Sequence, residues 1–424
     1  MKPKQIRHDQ EMLFDTRLSH LLNPKNELAV LSKQIDWEKI DKELSECFCE
    51  DNGAPAKNSR LVVGLLILQH LHGISDEKVV FQWVENPYWQ LFCGYDYLQW
   101  SFPIHPSSLT KWRKRLGTDG LESVLQSIVS CASSIGVVRP CDLKNATVDT
   151  TVQPKNISYP IDSKLYFRGI YSLVRLCKKF QIPLRQTYTF LAKRASRKYS
   201  QYARSRKMKM AARESRRLRT YLGRVSREVW RKIEEKEFLQ KIFRPLLVII
   251  DRILSQKRKD SNKVYSLHEP DVECIAKGKA HKKYEFGCKT SIVMTHKQGL
   301  MLSVDAVHGN PYDGHTLKPA LEAAERISGV NIKRVFVDKG YRGHKITDKE
   351  VLISGKRGLS RHFKGLLRRR EAIEPNIGHM KSDGKLGRNY LKGLLGDRLN
   401  ALLCAIGHNV RLILRYLRLH LAPS

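Results

Sequence analysis

Apolar residues alternate between helical and strand spacing along the chain. From Ser59, Leu61, Leu65, Leu68 and Leu71 recur at helical intervals and stop at Gly73, which predicts a helix. A second helix is expected after Ser75, with Asp76 and Glu77 in its first turn, where the helix dipole favours anions. It turns Val79, Val80 and Trp83 inward and stops before Pro87. A short helix at 88–92 follows, then a capped one opening at Ser107 and Ser108. After Pro140 the spacing shortens. Ala146-Thr147-Val148-Asp149-Thr150-Thr151-Val152 is β-branched and reads as a strand. Strand spacing returns at 286–295 and 301–308, a hairpin turning near Lys297-Gln298-Gly299. Residues 317–327 are expected to be helical, Val335-Phe336-Val337 a short buried strand, and 368–386 mostly helical. Residues 397–419 read as a helix pair broken near Gly407. Strand, hairpin, helix, strand and helix make a mixed α/β core behind a helical N-terminal region.

Charge sharpens that picture. The 424 residues carry 77 Lys+Arg and 42 Asp+Glu, a net charge of +35, which implies a polyanionic partner. No Asp or Glu occurs over 165–213, yet Leu173, Leu176, Leu218, Leu222, Val225 and Val229 keep helical faces through 168–260. This stretch is expected to be a basic helical insertion that tracks phosphates. Lys111, Arg113, Lys114 and Arg115 put four cations on the last N-terminal helix. That suits a helix laid in a major groove, although a packing helix with a solvated basic face shows the same pattern. An apolar content of 41% excludes disorder, and nine irregularly spaced cysteines read as reduced thiols. The opening MKPKQIRHDQ is charged and predicts no export leader, and the apolar run at 61–71 is too short to span a bilayer. The expectation is a soluble, cytoplasmic, nucleic-acid-binding protein with no membrane partner.

In so basic a chain, acids at strand ends need explaining. Asp149 lies in the first strand, Asp338 follows Val335-Phe336-Val337 where an α/β strand meets its ligand loop, and Glu374 lies near a helix start. Any one of them alone reads as a cap or turn former. As a set, three carboxylates can hold two Mg²⁺ or Mn²⁺ ions ~3.5–4 Å apart, activating a water and stabilising the leaving oxygen of a phosphodiester. Arg370, Glu374 and Lys381 are offset by four and seven residues, which aligns two phosphate-binding cations with the third acid. Pro375 sets Arg370 ahead of the regular helix. Glu371 is the rival third acid, and the motif spacing favours Glu374. Asp313 and His315 resemble a metal pair but read as loop residues that position the helix after Gly314. Lys277 and Lys279 are expected to touch phosphates. No Walker-type loop appears, so the chemistry needs no ATP.

The order of these motifs resembles the bacterial insertion-sequence transposases of the DDE type, in the IS-five group of the IS-four superfamily. The resemblance covers nearly the whole chain. It rests on the Ser107 to Gly117 segment, Val148-Asp149-Thr150-Thr151-Val152-Gln153-Pro154, Lys277-Gly278-Lys279-Ala280-His281 and Pro311-Tyr312-Asp313-Gly314-His315. Val337-Asp338-Lys339-Gly340-Tyr341-Arg342-Gly343 and Ile373-Glu374-Pro375 followed by Ile377-Gly378-His379-Met380-Lys381 complete it. The resemblance implies a ribonuclease-H-like core in which Asp149, Asp338 and Glu374 are the metal ligands and catalytic acids. Arg370 and Lys381 match the accompanying cations, and Arg342 joins the DNA contacts. Leu367 stands where the superfamily carries a tyrosine. The implied division is a helical N-terminal DNA-binding domain at 1–125, a catalytic core at 140–164 plus 263–395, the insertion at 165–262 and C-terminal helices at 396–424.

The implied activity cuts element ends and joins the 3′-hydroxyl to target DNA. It would be carried out by a homodimer on terminal inverted repeats and target DNA, at the bacterial nucleoid. A metal-dependent structure-selective nuclease shares the same acids. A non-catalytic DNA-binding repressor would have lost them.

Overall fold

The computed structural model of the protein describes residues 16–45, 57–257, 259–276, 283–355, 358 and 360–421. The chain folds as two units, Met1–Pro154 with Cys288–Ser424, and Lys155–Gly287. The first opens with α1 (Leu18–Leu21), α2 (Glu27–Gln34), α3 (Trp37–Leu44), α4 (Ser59–Leu71), α5 (Asp76–Glu85), α6 (Pro87–Phe92), α7 (Pro106–Ile135) and β1 (Asn145–Pro154). The second holds α8 (Asp162–Lys179), α9 (Thr189–Arg204), α10 (Met208–Ile233), α11 (Glu237–Ser255), β2 (Glu273–Ala276) and the start of β3 (Tyr284–Thr295). The rest of β3 returns to the first unit. There follow β4 (Met301–Val307), α12 (Asp313–Ser328), β5 (Arg334–Val337), β6 (Glu350–Ile353), α13 (Arg361–Arg369), α14 (Ile373–Ser382) and α15 (Gly393–Leu421).

Local chemistry explains the helix starts. Asn26, Asp36, Asn58, Ser75 and Asn86 each accept a backbone N–H in the first turn of the helix they precede. Helix α7 runs well past the basic segment seen in the sequence, bending at Gly117. In the first unit the strand order is β4-β3-β1-β5-β6. The β3–β4 hairpin is antiparallel, whereas β1–β5 and β5–β6 are parallel, so the sheet is mixed as the α/β reading requires. The sequence reading did not include β6, which buries one side chain of four, or β2, also four residues long.

Helix α15 corrects one expectation. It does not break at Gly407 but continues unbroken from Gly393 to Leu421. The glycine serves close approach: a Cβ there would lie 2.8 Å from the backbone carbonyl carbon and oxygen of His70, on α4. Further contacts tie α15 to the hairpin. Asn409 accepts the Met301 N–H at 2.8 Å and donates to the Met301 carbonyl at 2.9 Å, while His408 meets the Gly299 carbonyl at 3.1 Å.

Three buried histidines of this unit make its stability pH-dependent. Burial, helped by the charges of Lys385 and Arg113, pushes His70 down to about 3. Burial and Arg369 push His296 to about 4, and burial and Arg411 push His408 to about 4. In the unfolded chain each titrates near ~6.5. Between those limits the unfolded state binds more protons, so the stabilisation is full above ~6.5 and is lost as the pH falls. Urea unfolding at pH 7 and pH 5 should therefore show a lower midpoint at pH 5, by about 1.4 kcal/mol per pH unit for each histidine. Equal midpoints would show that these imidazoles are not held neutral.

The second unit has its own core, with Leu173, Leu222, Val225, Phe243 and Ile250 fully buried. Its cations lie on the opposite faces: Lys193, Arg194, Arg197, Arg213, Arg216 and Arg219 are exposed. Glu214, the acid that ends the acid-free stretch, is buried and pairs with Arg217 at 3.0 Å. At the base of the unit the Lys155 N–H donates to the Phe286 carbonyl at 3.0 Å, and the Lys155 ammonium pairs with Glu269 at 3.2 Å, both side chains buried. Every described cysteine is a free thiol. No described helix is long and apolar enough to cross a membrane.

Candidate active site

Strands β1 and β5 set the geometry. Ala146 lies opposite Val335 and Thr147 opposite Phe336. Two residues further in the same register, Asp149 comes level with Asp338.

Asp149 Oδ1 accepts the Thr150 N–H at 2.7 Å, and its Oδ2 faces Arg370 Nη1 at 3.9 Å. Arg370 opens the tight turn Arg370–Ala372 between α13 and α14. Pro375, in the first turn of α14, offers no N–H to the carbonyl four residues back, so the chain tightens there and Arg370 precedes the regular helix. The Arg370 Nε is buried and has no hydrogen-bond partner among the described residues.

Asp313 Oδ1 accepts from the Thr150 hydroxyl at 3.0 Å and from Lys289 Nζ at 3.0 Å. Asp313 is the first residue of α12. Asp338 caps the turn Lys339–Tyr341 by accepting the Gly340 N–H at 2.8 Å. The Tyr312 hydroxyl donates to the Arg342 carbonyl at 2.8 Å, which clasps the start of α12 to that turn. Tyr341 is fully buried within it. Its phenol is raised well above the usual value, first by burial and then by the carboxylates of Asp149, Asp313 and Asp338. Three acids thus surround one buried ring, and all of these residues belong to the first unit.

The remaining sequence expectations fall in different places. Glu374 is exposed in the first turn of α14, the helix packed on β1, and Lys381 lies near its end. Glu371 is exposed in the preceding turn, and Arg342 is exposed after Tyr341. Lys111, Lys114 and Arg115 are exposed on α7, with the Arg115 guanidinium 5.1 Å from the Trp112 ring centre. Arg113 points inward instead. It is 3% exposed, and donates to Asp76 at 2.6 and 2.9 Å and to Gln69 at 2.6 Å. Lys277 and Lys279 lie outside the described residues. Asp313 is the residue the sequence reading undervalued: it sits among the acids rather than in a positioning loop. Its one sequence signal is an acid inside a distinctive Pro-Tyr-Asp-Gly-His run.

Among the described residues, no three His, Cys, Asp or Glu side chains stand close enough to hold a metal ion together. The donor set nevertheless fits a hard divalent cation. All the donors are carboxylate oxygens, and Mg²⁺ commonly takes only one or two carboxylates, completing its shell with water and phosphate oxygens.

Residues 16–115 match the family model described as Transposase domain (DUF772). Residues 243–349, which include Lys289, Asp313 and Asp338, match the Transposase DDE domain. The chain is a DDE transposase. A Rhizobium meliloti relative, described as uncharacterized protein ORF8 in nfe locus, is 46% identical over 206 residues, 49% of this chain and 99% of the relative. No solved structure matches it. As a DDE transposase the protein is a metal-dependent polynucleotidyl transferase, and DNA is its partner.

Proposed function

We propose that this transposase, of the IS-five group in the IS-four superfamily, cuts the ends of its element and joins the freed 3′-hydroxyl to target DNA. The observation that carries the reading is the β1–β5 register, which levels Asp149 with Asp338 beside an arginine that keeps a buried, unpaired donor. The strand order, an antiparallel hairpin followed by three mutually parallel strands, supports a ribonuclease-H-like core. Asp149, Asp338 and Glu374 would hold two Mg²⁺ or Mn²⁺ ions, which when bound supply an activated water and stabilise the leaving oxygen. Arg370, whose guanidinium stands beside Asp149, orients the scissile phosphate, and Lys381 and Arg342 neutralise the neighbouring backbone. Lys111, Lys114 and Arg115 on α7, with the basic faces of α9 and α10, bind the phosphates of the terminal inverted repeats and the target. A homodimer would hold two ends together at the bacterial nucleoid.

The test incubates the full chain with Mg²⁺, a supercoiled plasmid carrying the element ends and a second target plasmid. The expected product is element 3′ ends covalently joined to the target. Nicks without joining would favour a structure-selective nuclease, and intact DNA would sink both readings.

A further inference from the structure

Gly340 has no positive φ that would demand a glycine. Its reason is space. A Cβ at this position would stand 3.0 Å from Asp338 Oδ1 and 3.1 Å from Asp313 Oδ2. Two carboxylates from different elements therefore close on one point, and the chain keeps that point clear of side chain. Like charges so placed repel unless a cation sits with them. Lys289 answers only part of that need. It takes Asp313 Oδ1 and the Pro311 carbonyl, at 3.0 and 2.6 Å, and Thr150 also takes Oδ1. The second oxygen of Asp313 is left facing Asp338.

A second observation points to the same spot. The Tyr341 hydroxyl is fully buried and has no hydrogen-bond partner of good geometry among the described residues. The Thr316 hydroxyl beside it donates to the Asp313 carbonyl at 2.8 Å. A buried O–H among carboxylates is satisfied by a water held there, and a hydrated divalent cation brings such waters.

We infer that Asp313 is a fourth acid of the centre, pairing with Asp338 to hold one divalent cation over Gly340, and that Lys289 is the positioning residue that orients Asp313. The inference rests on the metal-centre reading above and adds a ligand from α12. Lys289 fixes the carboxylate while its charge opposes the incoming cation. Removing each of them therefore shifts affinity in opposite directions.

The test is Mn²⁺ binding to the full chain, followed by the loss of the free-ion electron paramagnetic resonance signal, with no DNA present. Asp338→Asn and Asp313→Asn should each weaken binding at least tenfold, at urea midpoints close to the parent. Lys289→Met should tighten it several-fold. This opposite sign keeps the test informative should Asp313→Asn fold poorly. Weakened binding in Asp338→Asn with unchanged binding in Asp313→Asn would overturn the fourth acid and leave the centre standing. Binding indifferent to Asp338 would instead remove the metal-centre reading itself. If Lys289→Met weakens binding and lowers the urea midpoint together with Asp313→Asn, both residues are only structural and the inference fails.

Discussion

Asp338→Asn should lower the rate of strand cleavage by about 10³-fold, a loss of ~4 kcal/mol of transition-state stabilisation, with little change in fold. The asparagine side-chain carbonyl can still accept the Gly340 N–H that Asp338 now accepts at 2.8 Å, so the turn Lys339–Tyr341 keeps its cap. The charge is what disappears. DNA binding should persist or strengthen slightly, because an anion has been taken from a surface that meets phosphates. Asp149→Asn should behave in the same way, since its register partner and its arginine remain. Comparing initial cleavage rates with band shifts on the same element-end DNA separates the two effects. Unaltered cleavage in either variant would end its assignment as a ligand.

Arg113→Ala should cost about 3 kcal/mol of stability and leave the salt dependence of DNA binding unchanged. The reason lies in what stays behind. Burial alone would raise the Asp76 carboxyl, but the hydrogen bonds and charge of Arg113 hold it below the usual range. Without the guanidinium, Asp76 keeps Gln69 as its donor and loses its counter-charge. The first turn of α5 and the start of α7 lose their joint at the same time. Lys114→Ala offers the contrast: an exposed cation at the next position should cut the salt slope by about one and leave stability nearly intact. Urea midpoints and binding measured from 50 to 200 mM salt distinguish the two. An Arg113 variant of full stability and reduced slope would mark a DNA contact instead.

What the sequence made legible was mostly local. The start after Ser75, helical spacing in α4 and α5, and β-branched runs at β1 and the hairpin are all set by neighbours a few residues apart. Asp149 within β1 and Asp338 just after β5 stood out because acids beside strands are sparse in so basic a chain. The rest depends on distant partners. Arg113 looked like one more cation on a basic helix until Asp76, 37 residues away, was seen to claim it. Asp313 meets Thr150 across 163 residues, a pairing that only the tertiary fold creates. Gly407 carries two meanings in sequence, a helix stop or a close crossing, and only its distance to His70 decides between them.

The latch at the base of the second unit bears on how such a chain diversifies. The unit leaves after Pro154 and returns at Cys288, between β1 and β3, which are neighbours in the sheet. A slack connection inserted there would cost closure entropy, although only ~0.6 kcal/mol for each doubling of its length. Here the Lys155–Phe286 hydrogen bond and the Lys155–Glu269 pair bring the two ends together within the unit itself. The sheet therefore receives two pre-joined ends, much as it would receive a short hairpin turn. A domain delivered in that form can be lengthened, shortened or exchanged between lineages while the strands carrying Asp149 and Asp338 keep their register.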